Sequence, residues 1–211
     1  MPTRRPASAL HVTKRNVVRD EIAAVAMRLF AAHGFAATTI QAIAEAAGVS
    51  RRTFFRYFAA KEDVVVARID RFGQEVGEAL ASRPATEAPL VALRHALDPL
   101  VAFCTADPAH ATTVSRLICE TPALRACHLD KQQRWQAHVA PEIARRLGKG
   151  AAVALQSRVL AAAALAAFDV AFHEWAEHDD QDLDALVDLA FAALSPMPAS
   201  VKPRVARRPR A

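Results

Sequence analysis

Arginines stand among aromatic rings in the segment SRRTFFRYF, residues 50–58. An arginine guanidinium is a rigid fork of donors that pairs with guanine O6 and N7 or holds phosphate oxygens. Arg51, Arg52 and Arg56 could therefore bind a nucleic acid. The alternative is an ordinary solvated basic face over a helical core. A face that is only solvated gains nothing from exposed rings beside its arginines, so the aromatic residues favour nucleic-acid binding.

Helical spacing divides this segment into two sides. Val49, Phe54 and Phe58 fall on the side that suits a core. The opposite side, with hydroxyl and ammonium groups at nearby helix starts, is where base-edge and phosphate contacts are expected. The candidate DNA-binding residues are Thr39, Ser50, Arg51, Arg52, Thr53, Phe55, Arg56, Tyr57 and Lys61.

Two helices are predicted before this segment. The first has one apolar face and ends at His33, because Gly34 suits the left-handed position that follows a helix. The second is short and starts at Thr38, which has the spacing of a capping box with Gln41. Residues of the first apolar face are Ile22, Val25, Ala26, Leu29 and Phe30.

A turn and two more helix starts complete the predicted unit. Gly48 and Val49 predict the turn, and Ser50 predicts the N-cap of a third helix. A fourth helix is predicted from Lys61, with Glu62 and Asp63 where the helix dipole favours acids. Two short helices joined by a glycine turn predict a helix-turn-helix, in which the second helix enters the major groove of DNA.

Charge is distributed unevenly along the chain. Residues 1–61 hold ten Lys/Arg against three Asp/Glu, and residues 62–201 hold twelve against nineteen. Residues 202–211 hold five basic residues and no acid. The two ends therefore suit a polyanion and the middle does not. The basic tail would either add non-specific DNA affinity or be a solvated surface tail.

The composition predicts an all-α protein. Six glycines and a single tyrosine fit poorly with a turn-rich β protein, whereas the many Ala and Leu residues favour helix. Beyond residue 80, helices are predicted at about 87–106, 108–119, 122–147, 151–178 and 182–194. Pro99 is expected to kink the first of these.

Neither a metal site nor an enzyme is expected. His173 and His178 flank the segment EWAE, but a zinc-protease helix needs its two histidines four residues apart on one face, and these are five apart. No GxSxG, P-loop or GxGxxG motif is present. No cofactor is therefore expected.

The protein is expected to be cytoplasmic. Cys104, Cys119 and Cys127 are odd in number and lack CxxC spacing, so neither a disulfide framework nor a structural zinc site is expected. The longest uncharged, strongly apolar run, residues 159–168, is too short to span a bilayer, and no signal-peptide pattern stands at the N-terminus.

These features resemble the TetR family of transcriptional regulators over about residues 16–68. The family pattern is a first helix ending in "GF", then "TT", "IA..AGVS" and "Y.YF..KE.L". Here it is met by Gly34-Phe35, Thr38-Thr39, Ile43-Ala44, residues 47–50 and 55–58, Lys61-Glu62 and Val64. The family usually has tyrosine where Phe55 stands and a small residue where Arg52 stands, so the operator sequence does not carry over from relatives.

The resemblance implies a homodimer that binds a palindromic operator. It also implies a helix-turn-helix DNA-binding domain at 16–61 and a ligand-binding and dimerisation domain at 62–195. Residues 1–15 and 196–211 are rich in Pro, Arg and small residues, so a basic disordered arm and a basic disordered tail are expected there. The fold class is thus all-α, with a three-helix DNA-binding domain and a larger helical domain.

The C-terminal half is similar to TetR proteins of the mycofactocin-regulator type, through the segment ETPALR at 120–125 and a following tryptophan. This resemblance implies a long apolar effector, for which a fatty acyl-CoA is one candidate, with arginines for its phosphates. Candidate pocket residues are Leu97, Val101, Phe103, Leu117, Ile118, Leu124, Arg125, Trp135, Val139, Phe168 and Trp175. Further polar candidates are Arg116, Arg134, His128 and His138. Each residue could instead serve ordinary core packing or face solvent.

In the family, the last two long helices pair with those of a partner as a four-helix bundle, which small residues allow to pack closely. Candidate interface residues are Leu160, Ala164, Phe168, Leu183, Leu186, Val187, Ala190 and Phe191. The alternative is that both helices bury their apolar faces within one subunit.

Two other functions stay open at this point. Cys119 and Cys127 lie on either side of Pro122 with arginines nearby, so a redox-sensing regulator is one. A basic architectural protein that binds any duplex through its arms is the other. The favoured hypothesis is a repressor that leaves its operator when an effector shifts its two DNA-reading helices out of register.

Overall fold

The structure, a computed structural model, describes residues 7–67, 69–178 and 180–194, and of residues 7–16 only the backbone. This part of the chain holds eleven helices and no strand, which confirms the all-α class. The helices are α1 (Ala7–His33), α2 (Ile40–Ala46), α3 (Arg51–Tyr57), α4 (Lys61–Val66), α5 (Phe72–Ser82), α6 (Pro89–Ala96), α7 (Asp98–Ala106), α8 (Pro108–Glu120), α9 (Pro122–Leu147), α10 (Val153–Glu177) and α11 (Leu183–Leu194).

The four N-terminal helices surround one small core. Phe30 of α1, Ile43 of α2 and Phe54 of α3 are its large buried side chains. The predicted helix ends are confirmed where glycine takes a positive φ, at +79° for Gly34 and +65° for Gly48. These two turns set α2 and α3 against α1 in a helix-turn-helix arrangement.

The start of α2 differs from the prediction. Its N-cap is Thr39, whose Oγ1 accepts a hydrogen bond from Ala42 N at 3.1 Å. Thr38 is buried, and its hydroxyl donates to a backbone carbonyl at the end of α1 at 2.8 Å. Gln41 bonds forward to Glu45. The predicted capping box is therefore wrong, because two adjacent threonines can both cap a helix and only tertiary packing decides which is buried.

The beginning of α1 also differs. Residues 7–15, predicted as part of a disordered arm, are helical. They contain neither Gly nor Pro, and extending an existing helix costs far less than nucleating one. The rest of the predicted arm, residues 1–6, and the predicted tail, residues 196–211, lie outside the described residues.

The seven C-terminal helices enclose a second, larger core. Helices α9 and α10 pack on each other, with α5 against α9 and α11 against α10. The predicted helices at 108–119, 122–147, 151–178 and 182–194 are confirmed within two residues at each end. The predicted helix at 87–106 is two helices, α6 and α7, that meet at Leu97. Pro99 lies in the first turn of α7, where a missing N–H costs no hydrogen bond, so it begins a helix rather than kinking one.

Helix α5 was not among the predicted elements. Gly73 and Gly77 lower its intrinsic helix propensity and hid it in the sequence. In the structure a Cβ atom at Gly73 would lie 2.4 Å from Cδ1 of Trp135. The glycine therefore lets α5 cross α9 closely, and α5 fixes Trp135 in the larger core.

The two cores are joined rather than separated at residue 61. Val64 and Val65 of α4 pack in the N-terminal core, so that core extends past the predicted boundary. Val114 and Ile118 of α8 and Leu124 of α9 also belong to it. The periodicity of α4 alone could not show which core its valines enter. The DNA-binding domain thus rests directly on the helices of the larger domain.

Within the described residues, α10 is long and apolar enough to cross a membrane by length and composition. Its most apolar 18-residue window has mean hydropathy 1.5, and 28% of that window is buried. The core helix of a soluble protein passes the same test, so the finding is weak as a sign of a membrane span.

Candidate DNA-reading surface and effector cavity

Helix α3 presents its polar side to solvent, as its spacing predicts. Arg51, Arg52 and Arg56 are exposed, and Phe55 is 47% exposed. Phe54, its neighbour in sequence, has 0% exposure and packs in the core. We call Arg51, Arg52, Thr53, Phe55 and Arg56 the reader face. One shallow concavity is lined by four of these residues: Arg52, Thr53, Phe55 and Arg56.

The Ser50 and Thr39 hydroxyls, which were predicted to contact DNA, cap helices in the structure. Ser50 Oγ accepts a hydrogen bond from Thr53 N at 3.0 Å and lies 2.9 Å from the Thr53 hydroxyl. Thr39 caps α2 in the same way. A hydroxyl that accepts from a backbone N–H can still donate to a phosphate oxygen. Capping therefore aims these hydroxyls along the rim of the reader face.

Arg56 is held against the neighbouring ring. Its Nη2 donates to the Tyr57 hydroxyl at 3.3 Å, and its Cζ lies 5.0 Å from the centre of the Tyr57 ring. Tyr57 is half-buried against the N-terminal core. Its ring limits the freedom of the guanidinium, which lowers the entropy lost when Arg56 binds a partner.

Lys61 has a structural role that the sequence did not predict. Its Nζ donates to the backbone oxygens of Phe35 and Thr38 at 2.8 and 3.1 Å, and lies 4.3 Å from the centre of the Phe35 ring. The ammonium thereby ties α4 to the connection between α1 and α2. An ammonium has three protons, so one is left for a phosphate.

A small, largely apolar cavity lies in the larger domain, with a volume of about 40 Å³ for the centres of water-sized spheres. Four predicted pocket residues, Phe103, Ile118, Trp135 and Phe168, line it. The other wall residues are Ile69, Leu100, Cys104, His110, Ala111, Val114, His128, Lys131, Gln132, Leu165, Asp169 and Phe172. A cavity of this composition suits a small apolar ligand held by few polar groups.

The remaining predicted pocket residues lie away from this cavity. They are Leu97, Val101, Leu117, Leu124, Arg125, Val139 and Trp175. Leu97 and Leu124, for example, are almost completely buried in solid packing, and Arg125 is exposed and bonded to the backbone of Cys119. Apolar spacing marks the buried side of a helix, but it does not distinguish the part that faces a cavity from the part in solid core.

Polar side chains also line the cavity, and the sequence predicted only some of them. His128 was a candidate, whereas Lys131 and Asp169 were not. A signal was present, because Lys131 occupies the helical spacing of the buried α9 residues Leu124, His128, Trp135 and Val139. A lysine at an apolar-periodic position is rarely buried without a reason.

The polar side chains of the cavity wall interact closely with one another. His128 Nε2 lies 2.8 Å from Asp169 Oδ1, and His173 Nδ1 lies 3.8 Å from the same oxygen. Burial alone would raise the pKa of Asp169, but the hydrogen bond from His128 and the nearby positive charges lower it below its usual value. Burial lowers the pKa of Lys131 to about 8, against the opposing pull of Asp169 and Asp70.

An apolar stripe remains exposed on the last two helices. Leu155, Val159 and Val170 of α10 and Leu189 of α11 are large apolar side chains that face solvent. We call these four residues the outer stripe. Their spacing along α10 is that of one helix side. Exposed apolar side chains that lie together on one surface are a common feature of protein–protein contacts.

Most of the predicted dimer-interface residues lie on the opposite side of these helices. Leu183 and Val187 have 0% exposure and pack within the subunit, so their prediction as interface residues is wrong. Ala164, Phe168 and Phe191 are also buried in the subunit, and Leu160, Leu186 and Ala190 are half-buried. Both sides of α10 and α11 are apolar, so periodicity could not tell the inner side from the outer one.

The histidines tested as zinc ligands each contact their own helix. His173 Nδ1 lies 2.6 Å from Asp169 O, and His178 Nδ1 lies 2.9 Å from Glu174 O. Over the ranges the structure describes, no group of three or more His, Cys, Asp and Glu side chains is placed to hold a metal ion.

The two redox candidates are poorly suited to sensing. Burial, reinforced by Glu177 near Cys119 and by Asp63 near Cys127, raises the pKa of both thiols. A protonated thiol reacts slowly with peroxide. We expect a Cys119→Ser/Cys127→Ser variant and the unsubstituted protein to keep the same DNA affinity after mild peroxide treatment, measured by fluorescence anisotropy. Loss of binding by the unsubstituted protein alone would restore the redox hypothesis.

A basic helix-turn-helix that rests on a larger helical domain is the architecture of a DNA-binding regulator. Residues 22–67 match the family of bacterial regulatory proteins called the tetR family, and residues 87–198 match the MftR C-terminal domain. The chain belongs to the TetR family of transcriptional regulators. Its homologues are regulators and not enzymes.

Two relatives cover most of the chain. It is 34% identical over 183 residues to the HTH-type transcriptional regulator TcmR of Streptomyces glaucescens, covering 84% of this chain and 81% of TcmR. It is 28% identical over 185 residues to a Mycobacterium tuberculosis protein named for regulation of mycofactocin biosynthesis, MftR, covering 84% and 89%.

Solved structures of distant sequence share the fold. Thermus thermophilus FadR in complex with lauroyl-CoA is 21% identical with a TM-score of 0.56, covering 88% of this chain and 98% of that one. Bacillus subtilis FadR in complex with stearoyl-CoA is 18% identical with a TM-score of 0.59, covering 82% and 96%.

Proposed function

We propose that this protein is a cytoplasmic repressor that binds a palindromic operator as a homodimer and is released by a small apolar effector. The observation that carries the proposal is the packing of α8. Val114 and Ile118 line the effector cavity and also belong to the core of the DNA-binding domain. One helix side is therefore shared by the ligand site and the domain that carries the reader face.

The outer stripe supports the homodimer. It leaves four large apolar side chains in water on the helices that the family uses for dimerisation. Pairing the stripe with its copy around a twofold axis buries both at once, since a C2 interface uses the same surface on both subunits. The two reader faces would then be related by the same axis, as a palindromic operator requires.

Because α8 packs in both the cavity wall and the DNA-binding domain, it can carry the effect of a ligand to the DNA contact. A ligand that enters the cavity repacks Val114 and Ile118, and close-packed cores transmit such changes rather than absorbing them. The DNA-binding domain then moves with α8. Because the two reader faces must fall into successive major grooves, a few ångströms of change in their spacing weakens binding. The ligand shifts the equilibrium by its difference in affinity for the two states.

Acyl-CoA is one candidate effector, supported by the lauroyl-CoA and stearoyl-CoA complexes of the FadR proteins. In this chain, however, the arginines considered for the phosphates, Arg116, Arg125 and Arg134, are exposed and none lines the cavity. An acyl chain would therefore have to occupy the cavity while its phosphates stay outside. The apolar walls support an apolar effector more strongly than they support any one headgroup.

The experiment that tests the proposal is selection of duplexes from a random DNA library, followed by affinity measurements on the selected site. A palindromic site bound much more tightly than random duplex would support the repressor. Equal affinity for every duplex, with a steep salt dependence, would favour the architectural alternative.

Two substitutions separate sequence reading from backbone contact. Arg52→Ala should cost about 1–3 kcal/mol on the selected site and relax the preference at one base position. Lys61→Ala should weaken all duplexes alike and reduce the salt slope by about 1. Because Lys61 also bonds to the connection between α1 and α2, the unfolding midpoint of this variant is measured alongside to separate lost stability from a lost phosphate contact. Anisotropy titrations with selected and random duplexes measure both. If both variants lost specific and random binding equally, base reading by Arg52 would be wrong.

A further inference from the structure

Lys131 is a buried cation that forms no ion pair with any residue that the structure describes. Its side chain lines the effector cavity and is 4% exposed. Over the residues that the structure describes, its Nζ forms neither a hydrogen bond nor a salt bridge. Its near contact is the Trp135 ring, whose centre lies 4.3 Å away. Burying an ammonium without a paired anion is costly, so the site is incomplete without a further charge.

The nearest acidic residue in the cavity wall is already engaged. Asp169 receives the hydrogen bond of His128 at 2.8 Å and faces His173 as well. An ionised Asp169 can only accept, so the proton in this hydrogen bond is on His128 Nε2; Gln132 Nε2 also lies 3.1 Å from that nitrogen. The other ring nitrogen, Nδ1, is buried and has no hydrogen-bond partner among the described residues. His128 and Lys131 are three residues apart on one side of α9, so both unfilled polar atoms belong to the same wall.

We propose that the effector is an apolar molecule with one acidic group, a carboxylate or a phenolate, which pairs with Lys131 inside the cavity. A hydroxyl elsewhere on the same molecule can donate to His128 Nδ1, which is an acceptor when the ring proton is on Nε2. The apolar body of the effector lies against the aliphatic and aromatic walls. The inference rests on the proposed function, because it assigns the headgroup of the same effector. It also separates a free acid from an acyl-CoA, whose uncharged thioester would leave Lys131 unpaired.

Protonation gives a signature of this pairing. The pKa of Lys131 is lowered to about 8 by burial, so at pH 8.5 the unliganded amine is mostly neutral. A bound anion raises that pKa, and binding at pH 8.5 must then take up a proton, while binding at pH 6.5 needs none. The titratable and charged groups around Lys131 are Asp169 on α10, Asp70 before α5, Cys104 on α7, His110 on α8, and His128 and Arg134 on α9.

Matched acid and amide probes test the proposal on the full chain. The pairs are decanoate with decanamide and 2-naphthoate with 2-naphthamide, and decanoyl-CoA is a fifth probe. Binding is measured by quenching of tryptophan fluorescence and by calorimetry in two buffers of different ionisation enthalpy. We expect at least one acid to bind at least tenfold more tightly than its amide, with proton uptake at pH 8.5 and not at pH 6.5.

Substitutions assign the preference to one residue. Lys131→Met keeps the length and apolar stem of the side chain and should abolish the acid preference while the amide still binds. Lys131→Arg should retain the preference. Arg134→Met is the matched control, because it removes a cation from the same helix at an exposed position paired with Asp70. It should leave the preference unchanged.

Several results would overturn the inference. The first is that neither acid binds more tightly than its amide. The second is that the acid preference survives Lys131→Met. The third is that decanoyl-CoA binds and the other four probes do not. The proposed function fails separately, if no duplex is selected over random DNA. If an acid binds through Lys131 but does not change the affinity for the operator, the proposed release mechanism is wrong and the assignment of Lys131 stands.

Discussion

Leu189→Glu is expected to convert the protein from a dimer to a monomer and to abolish operator binding. Leu189 is 69% exposed in the subunit, so the substitution should leave the fold intact. In a twofold interface each substitution occurs twice, and like charges buried opposite one another cost several kcal/mol. Since 1.4 kcal/mol is tenfold, the dimer should weaken by about a thousandfold or more.

Sedimentation over a range of concentrations measures the dimer, and anisotropy measures its affinity for the selected operator. Leu129→Glu is the matched control, because Leu129 is also an exposed leucine, at 54%, but lies on α9 outside the outer stripe. It should remain dimeric and bind DNA normally. A Leu189→Glu protein that stays dimeric would show that the outer stripe is not the interface.

Phe54→Ala is expected to unfold the DNA-binding domain at physiological temperature. Phe54 has 0% exposure, and its ring contacts those of Phe55 and Phe58 at centroid distances of 5.7 and 5.5 Å. Removing a buried phenylalanine costs about 3–5 kcal/mol, a large part of the stability of a small domain. Thermal unfolding followed by circular dichroism should show an early transition, and DNA binding should be lost.

The adjacent residue is the control. Phe55→Ala removes the same ring from the exposed side of α3, so its midpoint of unfolding should stay close to that of the unsubstituted protein. DNA affinity should nevertheless fall, because Phe55 belongs to the reader face. Equal losses of stability in the two variants would contradict the assignment of the two sides of α3.

The sequence predicted the DNA-binding domain in more detail than the rest, for local reasons. Gly34 and Gly48 take the positive φ that few other residues tolerate, and Ser50 caps the helix that it precedes. These signals act over three or four residues, so they can be recognised in the sequence without knowledge of the tertiary structure. Even here, the cap predicted at Thr38 is formed by Thr39, since either threonine can cap a helix.

The larger domain was less predictable. Its helices were found because their apolar spacing is strong, but α5 was missed because two glycines obscure it. Pocket and interface residues were only partly identified. Phe168 had been assigned to both, and the structure places it on the cavity wall. Spacing shows that a side chain is turned inward, and it cannot show whether solid core, cavity or partner lies opposite.

The sequence by itself determined the all-α class and the family, and it located the segment that we expect to read DNA, because these depend on local capping and on spacing along one helix. Only the tertiary structure decided that α8 is shared by both cores, that Leu183 and Val187 are internal while Leu189 is not, and that Lys131 is buried in a cavity wall. Each of these depends on contacts between residues far apart in the chain, which no local pattern records.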